Sequence, residues 1–302
     1  MKRALLFPGQ GSETPRMGLD LAARSAAARA LLEQAGAQTG VDLWKLLERG
    51  GRALDRTEVM QPAIIAVCLG VLAELRAMGV ETHFAAGHSL GEVAAWCGAG
   101  GIDAETAVDL AVTRGRLMAE AARARPGGMV ALRDMTEQQV AAAIEVGRAR
   151  GFVELGAHNA PTDWVLTGDH EALRAVAAAY PTMQVRVMGP WHCSAMAAAR
   201  EAFAERLETV AWSAGHAAFV SSVSGCVAKP EEIPGLQADQ LTRPLRWAEA
   251  MRTLVDSGVT EMIVVGPAKL LHALARMNAG PDVTIHCAAD ADDLRCLKET
   301  LR

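Results

Sequence analysis

The chain has 302 residues, of which 51% are hydrophobic, and a formal net charge of −5. This length can bury a large core, either in one domain with an insertion or in two domains. The acidic balance and an aromatic content of only 4% disfavour nucleic acid as a partner. We expect no membrane span, because no apolar stretch looks long enough, and no signal segment, because Pro8 interrupts the first apolar run.

The cysteines and the missing motifs restrict the chemistry further. Six cysteines, at positions 68, 97, 193, 226, 287 and 296, form no CxxC pair and no zinc-site spacing. No GxGxxG or Walker loop is present. We therefore expect reduced, mostly buried thiols in a cytoplasmic protein that holds neither a metal nor a cofactor.

The first 126 residues predict alternating strands and helices, which is typical of an α/β fold with a parallel sheet. The predicted elements are a strand at 4–7, helices at 25–37, 43–49 and 61–78, a short strand ending at 86, a helix starting at 93 and a helix at 104–123. Asp103 stands where an N-cap of the last helix is expected.

Residues 127–189 predict a small inserted domain with the order βαββαβ, which is that of a ferredoxin-like unit. The main domain resumes at residue 190 and runs to residue 302. Its predicted elements are a helix at 194–210, a strand at 219–222, a helix at 247–257, a strand at 261–265 and a helix at 268–276.

The pentapeptide Gly87-His88-Ser89-Leu90-Gly91 lies between a predicted strand and a predicted helix. A G-x-S-x-G sequence needs that context to form a nucleophile elbow, in which a strained turn exposes the serine hydroxyl. The alternative is an ordinary serine between two glycines. The flanking pattern favours the nucleophile, and the N–H of Leu90 would then be one donor to an oxyanion.

A serine nucleophile needs a base. Histidines at 158, 170, 192, 216, 272 and 286 follow Ser89 in the chain. We favour His192, which stands in a predicted turn between a strand and a helix, although the residues alone leave the others open. His88 is a neighbour of Ser89 in sequence, and we interpret it as a buried structural imidazole.

Two further positions have both a functional and a plain interpretation. The loop around Gln10 follows the first strand, where ligands bind in α/β folds, and its N–H groups are either oxyanion donors or part of a simple turn. Arg114 is either a solvated helix residue or a guanidinium that binds a carboxylate in two hydrogen bonds.

Taken together, the motifs resemble those of the malonyl-CoA:acyl carrier protein transacylases of fatty-acid and polyketide synthesis. The resemblance covers nearly the whole chain. The matching stretches are Phe7-Pro8-Gly9-Gln10-Gly11-Ser12, Gln61-Pro62-Ala63, Gly87-His88-Ser89-Leu90-Gly91-Glu92, Arg114-Gly115-Arg116, Gly128-Met129, His192-Cys193, Pro244-Leu245-Arg246-Trp247 and Val265-Gly266-Pro267. The resemblance implies an α/β-hydrolase-like core, residues 1–126 and 190–302, with a ferredoxin-like insertion at 127–189.

The resemblance also implies a role for each matching catalytic residue. Ser89 carries the acyl group as an ester, and His192 is the general base and acid. A backbone carbonyl at Gln240 orients the histidine in place of an acidic residue. The N–H groups of Gln10 and Leu90 stabilise the oxyanion.

For substrate binding, the resemblance implies that Arg114 holds the free carboxylate of a malonyl group and that Asn159 lies near the entry of the thioester. The donor is malonyl-CoA, and the acceptor is the phosphopantetheine thiol of an acyl carrier protein. The resemblance further implies a monomer.

Several positions depart from the family pattern. Glu13 stands where a second glutamine is common, Val93 where an aromatic is common, and Ala268 where a glycine is common. Trp191 precedes the base, where small residues or phenylalanine are usual, so we expect it to narrow the acyl pocket and to favour malonyl over methylmalonyl units. Together these changes suggest a specialised enzyme of polyketide synthesis.

Three alternatives remain open: a hydrolase that clears stalled thioesters, a transferase for an unusual extender unit, and a non-catalytic subunit. Arg114 argues against the hydrolase, and the intact catalytic residues argue against the non-catalytic subunit. Because carrier proteins in these systems are acidic, we also expect a basic patch beside the cleft. The candidates are Arg243, Arg246, Lys269 and Arg276.

Overall fold

The computed structural model describes residues 1–50 and 52–301, with the side chains of residues 52 and 53 excepted. Within them the strands are β1 (Lys2–Phe7), β2 (Phe84–Gly87), β3 (Gly128–Arg133), β4 (Val153–Ala160), β5 (Asp163–Gly168), β6 (Met183–Gln184), β7 (Ala218–Val220), β8 (Leu245–Arg246), β9 (Val259–Val265) and β10 (Thr284–Ala288).

The helices cover both sheets. They are α1 (Leu19–Arg24), α2 (Ala26–Thr39), α3 (Leu43–Arg49), α4 (Thr57–Ala77), α5 (Gly91–Gly98), α6 (Ala104–Ala124), α7 (Glu137–Arg148), α8 (His170–Ala179), α9 (Ala197–Glu208), α10 (Ile233–Asp239), α11 (Trp247–Asp256), α12 (Lys269–Ala279) and α13 (Ala291–Thr300). The fold is therefore a mixed α/β fold.

The first sheet is parallel and has the order β10-β9-β1-β2-β7. Its central strands are continuous apolar runs, as parallel strands covered on both faces must be. The last four residues of β1 and all of β2 are buried. The carboxyl ends of β1 and β2 lie side by side, with Phe7 paired to Gly87, so the loops after both strands meet at one edge.

The second sheet has the order β6-β3-β5-β4-β8. Strands β3, β4, β5 and β6 pair antiparallel and come from residues 127–189, in the predicted order of elements. The fifth strand, β8, comes from outside that range and pairs parallel to β4. The chain after residue 190 therefore contributes to both sheets.

Helix α4 begins at Thr57, four residues before the predicted start, and contains Pro62 within it. By length and composition α4 would suffice to cross a membrane, contrary to our expectation from the sequence. It is instead a core helix of this fold, because 83% of its apolar window is buried against the rest of the protein.

The predicted helix at 194–210 begins as a 3₁₀ turn, Ser194–Met196, and continues as α9. The last strand of the insertion, which the sequence predicts at 183–188, is regular only at Met183 and Gln184; Val185 still donates to the carbonyl oxygen of Met129 on β3, and the chain beyond it is irregular. Helix α10 was missed because Pro234 and Gly235 suggest a turn, although a proline is tolerated in the first turn of a helix.

Candidate active site

The turn from β2 to α5 carries Ser89 in a left-handed conformation, with φ 53°. This strained geometry is possible because both flanking glycines lack a side chain. A Cβ on Gly91 would lie 2.0 Å from the carbonyl oxygen of Phe7, and one on Gly87 would lie 2.0 Å from the carbonyl carbon of Gly91. The pentapeptide therefore forms the sharp turn that a nucleophile elbow requires.

His192 lies against Ser89 although it is 103 residues further along the chain. The Ser89 Oγ to His192 Nε2 distance is 2.8 Å, and His192 Nδ1 lies 2.8 Å from the carbonyl oxygen of Gln240. Since a carbonyl only accepts, Nδ1 carries the proton and Nε2 is left to accept the serine hydroxyl proton. His192 also has a left-handed φ of 60°, a strained backbone conformation of the kind that clusters at functional sites.

The protonation state of His192 suits a base. Burial, and next the nearby positive charge of Arg114, lower the pKa of this histidine to about 3. The imidazole is therefore neutral at physiological pH and can take a proton from Ser89.

Arg114 on α6 is buried, with 1% of its surface exposed. Its guanidinium donates to Gln61 Oε1 at 2.7 Å and to Gln240 Oε1 at 2.8 Å. It also reaches Ser89 Oγ at 3.3 Å. Burial lowers its pKa to about 10, so the group remains a cation at neutral pH. No carboxylate of the described chain forms an ion pair with it, so its hydrogen bonds are satisfied while its charge lacks a direct partner.

The loop after β1 packs tightly against the elbow. A Cβ on Gly9 would lie 2.5 Å from the carbonyl oxygen of His88, so only glycine allows this approach. Gln10 and Leu90 both line the cavity around Ser89. The side chain of Gln10 accepts a hydrogen bond from Thr57 at 2.9 Å, and Glu13 accepts the N–H of Gly11 at 2.7 Å. These contacts fix the loop that carries Gln10 beside the cavity.

His88 is half-buried and lines the cavity, whereas we expected it wholly buried beneath the elbow. Its Nε2 lies 2.9 Å from Asn159 Oδ1, and Asn159 Nδ2 donates to Asp163 at 3.1 Å. Asn278 on α12 holds the carbonyl of Asn159 at 2.8 Å. Asn159 therefore joins β4 of the second sheet to the elbow.

One buried carboxylate beside the site was not singled out from the sequence. Glu92, in the first turn of α5, accepts a hydrogen bond from Gln240 Nε2 at 2.6 Å. The other oxygen of Glu92 accepts from the N–H and hydroxyl of Ser222. A glutamate three residues after an elbow serine falls on the first helical turn, which faces the core here; that position was the only available signal.

The cavity above Ser89 has a volume of about 410 Å³. Strands of the second sheet supply much of its apolar wall. Polar residues line it from both sides: Gln10, Ser89 and Arg114 come from the first-sheet side, and Arg133, Asn159 and Asp163 come from the second sheet. The wall residues on β3, β4 and β5 are Met129, Ala131, Ala157 and Val165. Trp191 closes the wall next to His192 and is 4% exposed, so a large fixed ring occupies this side of the cavity.

The four basic candidates differ in their surroundings. Arg243 lies 3.7 Å from Asp239, and Arg246 lies 3.5 Å from Glu249, so both are ion-paired. Lys269 and Arg276 are exposed on α12 and form no ion pair within the described ranges. Leu270, beside Lys269, lines the cavity, so this part of α12 forms one edge of the cavity mouth.

The cysteines are all free thiols, of which Cys68, Cys97 and Cys193 are buried. The expectation of mostly buried thiols therefore holds for half of them. Burial raises the pKa of Cys193 to about 11, so this neighbour of the base is a protonated, inert thiol. In the described residues no three His, Cys, Asp or Glu side chains are grouped to hold a metal ion.

A model of the acyl transferase domain family matches residues 4–287. The chain belongs to this family. It is 30% identical over 282 residues to the malonyl CoA-acyl carrier protein transacylase of Escherichia coli (strain K12), which covers 90% of this chain and 91% of that protein. The resemblance found in the motifs is thereby confirmed.

Two further relatives connect the family to polyketide synthesis. The polyketide biosynthesis malonyl CoA-acyl carrier protein transacylase of Bacillus subtilis is 32% identical over 281 residues, covering 89% of this chain and 94% of that protein. A solved complex of a type II polyketide synthase acyl-carrier protein with its malonyl-transacylase matches with a TM-score of 0.90 and 28% identity. That match covers 99% of this chain and 100% of the solved chain.

Proposed function

We propose that this enzyme transfers a malonyl group from malonyl-CoA to the phosphopantetheine thiol of an acyl carrier protein. The observation that carries the proposal is one cavity in which Ser89 contacts both a neutral histidine and a buried guanidinium. The first pair supplies a nucleophile with its base, and the guanidinium supplies a charge complementary to the free carboxylate of malonate.

The reaction has two half-reactions. In the first, His192 Nε2 takes the hydroxyl proton while Ser89 Oγ attacks the thioester carbonyl of malonyl-CoA. The resulting oxyanion is stabilised by the N–H groups of Gln10 and Leu90. The carbon–sulfur bond then breaks, and the CoA thiolate leaves with the proton from His192, so that malonyl-Ser89 remains.

In the second half-reaction the carrier-protein thiol gives its proton to His192 and attacks the malonyl ester. The tetrahedral intermediate collapses, the thioester forms, and Ser89 recovers its proton from His192. The carbonyl of Gln240, 2.8 Å from Nδ1, holds the same tautomer in both half-reactions and stabilises the imidazolium that forms in each.

Arg114 is the proposed binding group for the malonyl carboxylate. In the free enzyme its partners are two neutral amide oxygens and a hydroxyl, so a substrate carboxylate would supply the missing counter-charge. A monocarboxylic acyl group would leave that charge uncompensated in a buried site, which disfavours it. The same guanidinium disfavours the thioester hydrolase, and the assembled Ser89–His192 pair disfavours a non-catalytic subunit.

The remaining site residues shape the substrate. We propose that Trp191 narrows the cavity beside the α-carbon of the acyl group and thereby favours malonyl over methylmalonyl units. Asn159 holds His88 and Asp163 on the wall of the cavity and would lie near the thioester arm. A transferase for an unusual extender unit remains the second candidate, because Trp191 departs from the residues usual at this position.

For the fold, we propose an α/β-hydrolase-like core of residues 1–126 and 190–302 with a ferredoxin-like insertion at 127–189. The antiparallel order β6-β3-β5-β4, in which the second strand of the insertion lies at one end and its fourth at the other, supports the insertion. The elbow after β2 in a parallel sheet supports the core.

For the partners, we propose that the acidic carrier protein docks at the cavity mouth. Lys269 and Arg276 are the candidates whose charges remain available for an acidic partner, whereas Arg243 and Arg246 are already ion-paired. We also propose a cytoplasmic monomer that uses no cofactor of its own, since both acyl carriers are substrates.

Intact-protein mass spectrometry tests this function. The protein is incubated briefly with malonyl-, methylmalonyl- or acetyl-CoA, beside a Ser89→Ala variant. We expect one malonyl mass on the wild-type chain, none on Ser89→Ala, and loss of the adduct when a holo carrier protein is added. Preferential acetyl loading, or an adduct that hydrolyses without a carrier, would contradict the proposal.

A further inference from the structure

Glu92 lies beside the proposed catalytic residues without touching the cavity. Its side chain is wholly buried, and its backbone carbonyl accepts a hydrogen bond from Gln237 at 3.0 Å. One carboxylate oxygen accepts two donors from Ser222, and the other accepts Gln240 Nε2. An ionisable group buried at this depth is costly unless its contacts serve a purpose.

The two ends of Gln240 serve different residues of the site. Its backbone carbonyl accepts from His192, as described above. Its side-chain oxygen accepts from Arg114 at 2.8 Å. Its side-chain nitrogen donates to Glu92 and also to the carbonyl oxygen of Ser89, 3.0 Å away. Glu92 therefore binds the nitrogen of this amide, and the oxygen of the same amide binds Arg114.

We propose that Glu92 is a positioning residue for the transfer reaction: it acts through the side-chain amide of Gln240 to hold the Arg114 guanidinium against Ser89. This inference rests on the proposed function, because the position of Arg114 matters for a malonyl donor. Glu92 itself touches neither the substrate nor the reacting atoms.

The chemistry of the donors explains why a carboxylate is needed. The groups hydrogen-bonded to the two oxygens of Glu92 are donors: the N–H and hydroxyl of Ser222 on one oxygen and Gln240 Nε2 on the other. A carboxylate accepts on both oxygens, whereas a glutamine would turn an N–H₂ toward one of these donors. If Gln240 flipped to relieve the conflict, its N–H₂ would face the Arg114 cation. Because Glu92 can only accept, it keeps the Gln240 amide nitrogen on its own side and the amide oxygen on the side of Arg114.

The negative charge of Glu92 also acts on Arg114. Glu92 attracts the buried guanidinium through the intervening amide and favours its charged form. Burial raises the pKa of Glu92 to about 7, although the Ser222 and Gln240 donors oppose that rise. Glu92 is thus an acidic residue whose charge acts on the Arg114 cation without a direct ion pair.

The test compares three variants of the full chain in acyl loading from malonyl-CoA and from acetyl-CoA. Glu92→Gln and Gln240→Met both remove the directed bridge, while Gln240→Met keeps the carbonyl that faces His192. Gln237→Leu is the matched control, since it removes a buried hydrogen bond to the same glutamate but leaves both carboxylate oxygens and Gln240 unaltered.

We expect Glu92→Gln to lower kcat/KM for malonyl-CoA by about 100-fold, the usual cost of misplacing a binding group by about 1 Å. Acetyl loading should fall much less, because no carboxylate reaches Arg114. Gln237→Leu should lower kcat/KM equally for malonyl-CoA and acetyl-CoA, and by less than about threefold, as expected for a hydrogen bond that does not connect Glu92 to Arg114. The Glu92→Gln/Gln240→Met double variant should be no worse than either single variant, because the two residues act in series.

Equal losses on both donors, or additive losses in the double variant, would overturn the inference and leave Glu92 a purely structural residue. If melting curves show Glu92→Gln unfolded, Glu92→Asp takes its place against Gln237→Leu, because it keeps a buried carboxylate but shortens its reach to Gln240 Nε2 and leaves the contact of Gln240 with Arg114 unaltered. Failure of the wild-type chain to load malonyl at all would instead contradict the proposed function.

Discussion

The two sheets of this protein divide the proposed site between them. The parallel sheet supplies the reacting groups: Gln10 follows β1, and Ser89 follows β2. The second sheet, in which β3, β4 and β5 pair antiparallel, supplies the opposite wall of the cavity, with four apolar side chains and the polar side chains of Arg133, Asn159 and Asp163. Chemistry thus comes from loops at one edge of a sheet, and shape comes from the face of another.

The physical reason lies in the strand pairing. Parallel strands bring the loops after their carboxyl ends to the same edge, where main-chain N–H groups and turn residues converge. An antiparallel sheet instead presents alternate side chains on an exposed face, which can line a pocket. A change in the groups that react with the thioester, Ser89 and His192, should therefore slow every acyl donor. A change in the groups proposed to contact the acyl unit, Arg114 and the cavity wall, should alter the choice among donors.

Replacement of the base should give the largest effect. We expect His192→Ala to lower the acylation rate by about 1000-fold or more for malonyl- and acetyl-CoA alike, since in the described part of the chain His192 is the base that contacts the Ser89 hydroxyl. Release of CoA in a stopped-flow assay measures it. His170→Ala serves as the control because His170 does not line the cavity. If His192→Ala lost activity with only one of the two acyl-CoA donors, His192 would not be the general base for the reaction.

Removal of the guanidinium should give the next largest effect, and a selective one. We expect Arg114→Ala to lower kcat/KM for malonyl-CoA by about 10- to 150-fold, from hydrogen bonds to a charged group worth about 1.5–3 kcal/mol. Acetyl loading should hold or rise. Arg116→Ala is the matched control, since Arg116 is exposed and paired with Glu120. Equal losses with both donors would remove Arg114 from carboxylate binding.

The pH dependence of stability should reveal the buried histidine. His192 has a pKa of about 3 in the folded protein and an ordinary value of 6.5 when unfolded. Between these values the unfolded chain binds more protons, so His192 destabilises the fold progressively as pH falls from 6.5. The lowered pKa of His88 acts in the same direction.

Glu92 opposes this trend between pH 4.5 and 7, because its raised pKa makes the folded state bind more protons there. Denaturant unfolding of the wild type and of His192→Ala at several pH values isolates the histidine. The wild type should lose more stability than the variant as pH falls through this window. Parallel curves would show that His192 is not held neutral by the fold.

A change in the cavity wall should have the smallest effect on the rate of malonyl loading, but a clear effect on which acyl donor is preferred. We expect Trp191→Ala to raise the methylmalonyl-to-malonyl loading ratio by about tenfold, since space for one methyl group is worth about 1–3 kcal/mol. Malonyl loading itself should change only a few-fold. Competition between the two donors, followed by mass spectrometry, measures the ratio, with Trp164→Phe as the control away from the cavity. An unchanged ratio would mean that Trp191 does not set the acyl preference.

The local signals in the sequence predicted much of this arrangement. The elbow follows from Gly87, Ser89 and Gly91 alone, because each glycine meets a backbone atom at a distance that no side chain allows. The βαββαβ order of elements at 127–189 follows from its periodic segments, and the structure has strands and helices in that order. Both features show as short local patterns in the sequence, although the contact that excludes a side chain at Gly91 is with the distant Phe7.

Other parts depend on contacts that no local pattern records. The side chain of Gln240 meets Glu92 across 148 residues and Arg114 across 126 residues. The motif match pointed to the carbonyl of Gln240, but its amide and the buried carboxylate became apparent only in three dimensions. Strand β8 was missed for a similar reason, since two residues are too short to show a period and only its pairing with β4 makes it a strand.

The pairing of β8 with β4 also sets where this chain can be recombined with its relatives. Leu245 and Arg246 are hydrogen-bonded to the second sheet, yet they follow Gln240 of the catalytic network by only a few residues. A chimera with breakpoints at 127 and 189 would pair a foreign β4 with the native β8. This would disturb the β4–β8 pairing close to Gln240, whose carbonyl accepts from His192. An exchange meant to transfer acyl-group preference should therefore include residues 245–246 together with residues 127–189, so that β4 and β8 come from the same protein.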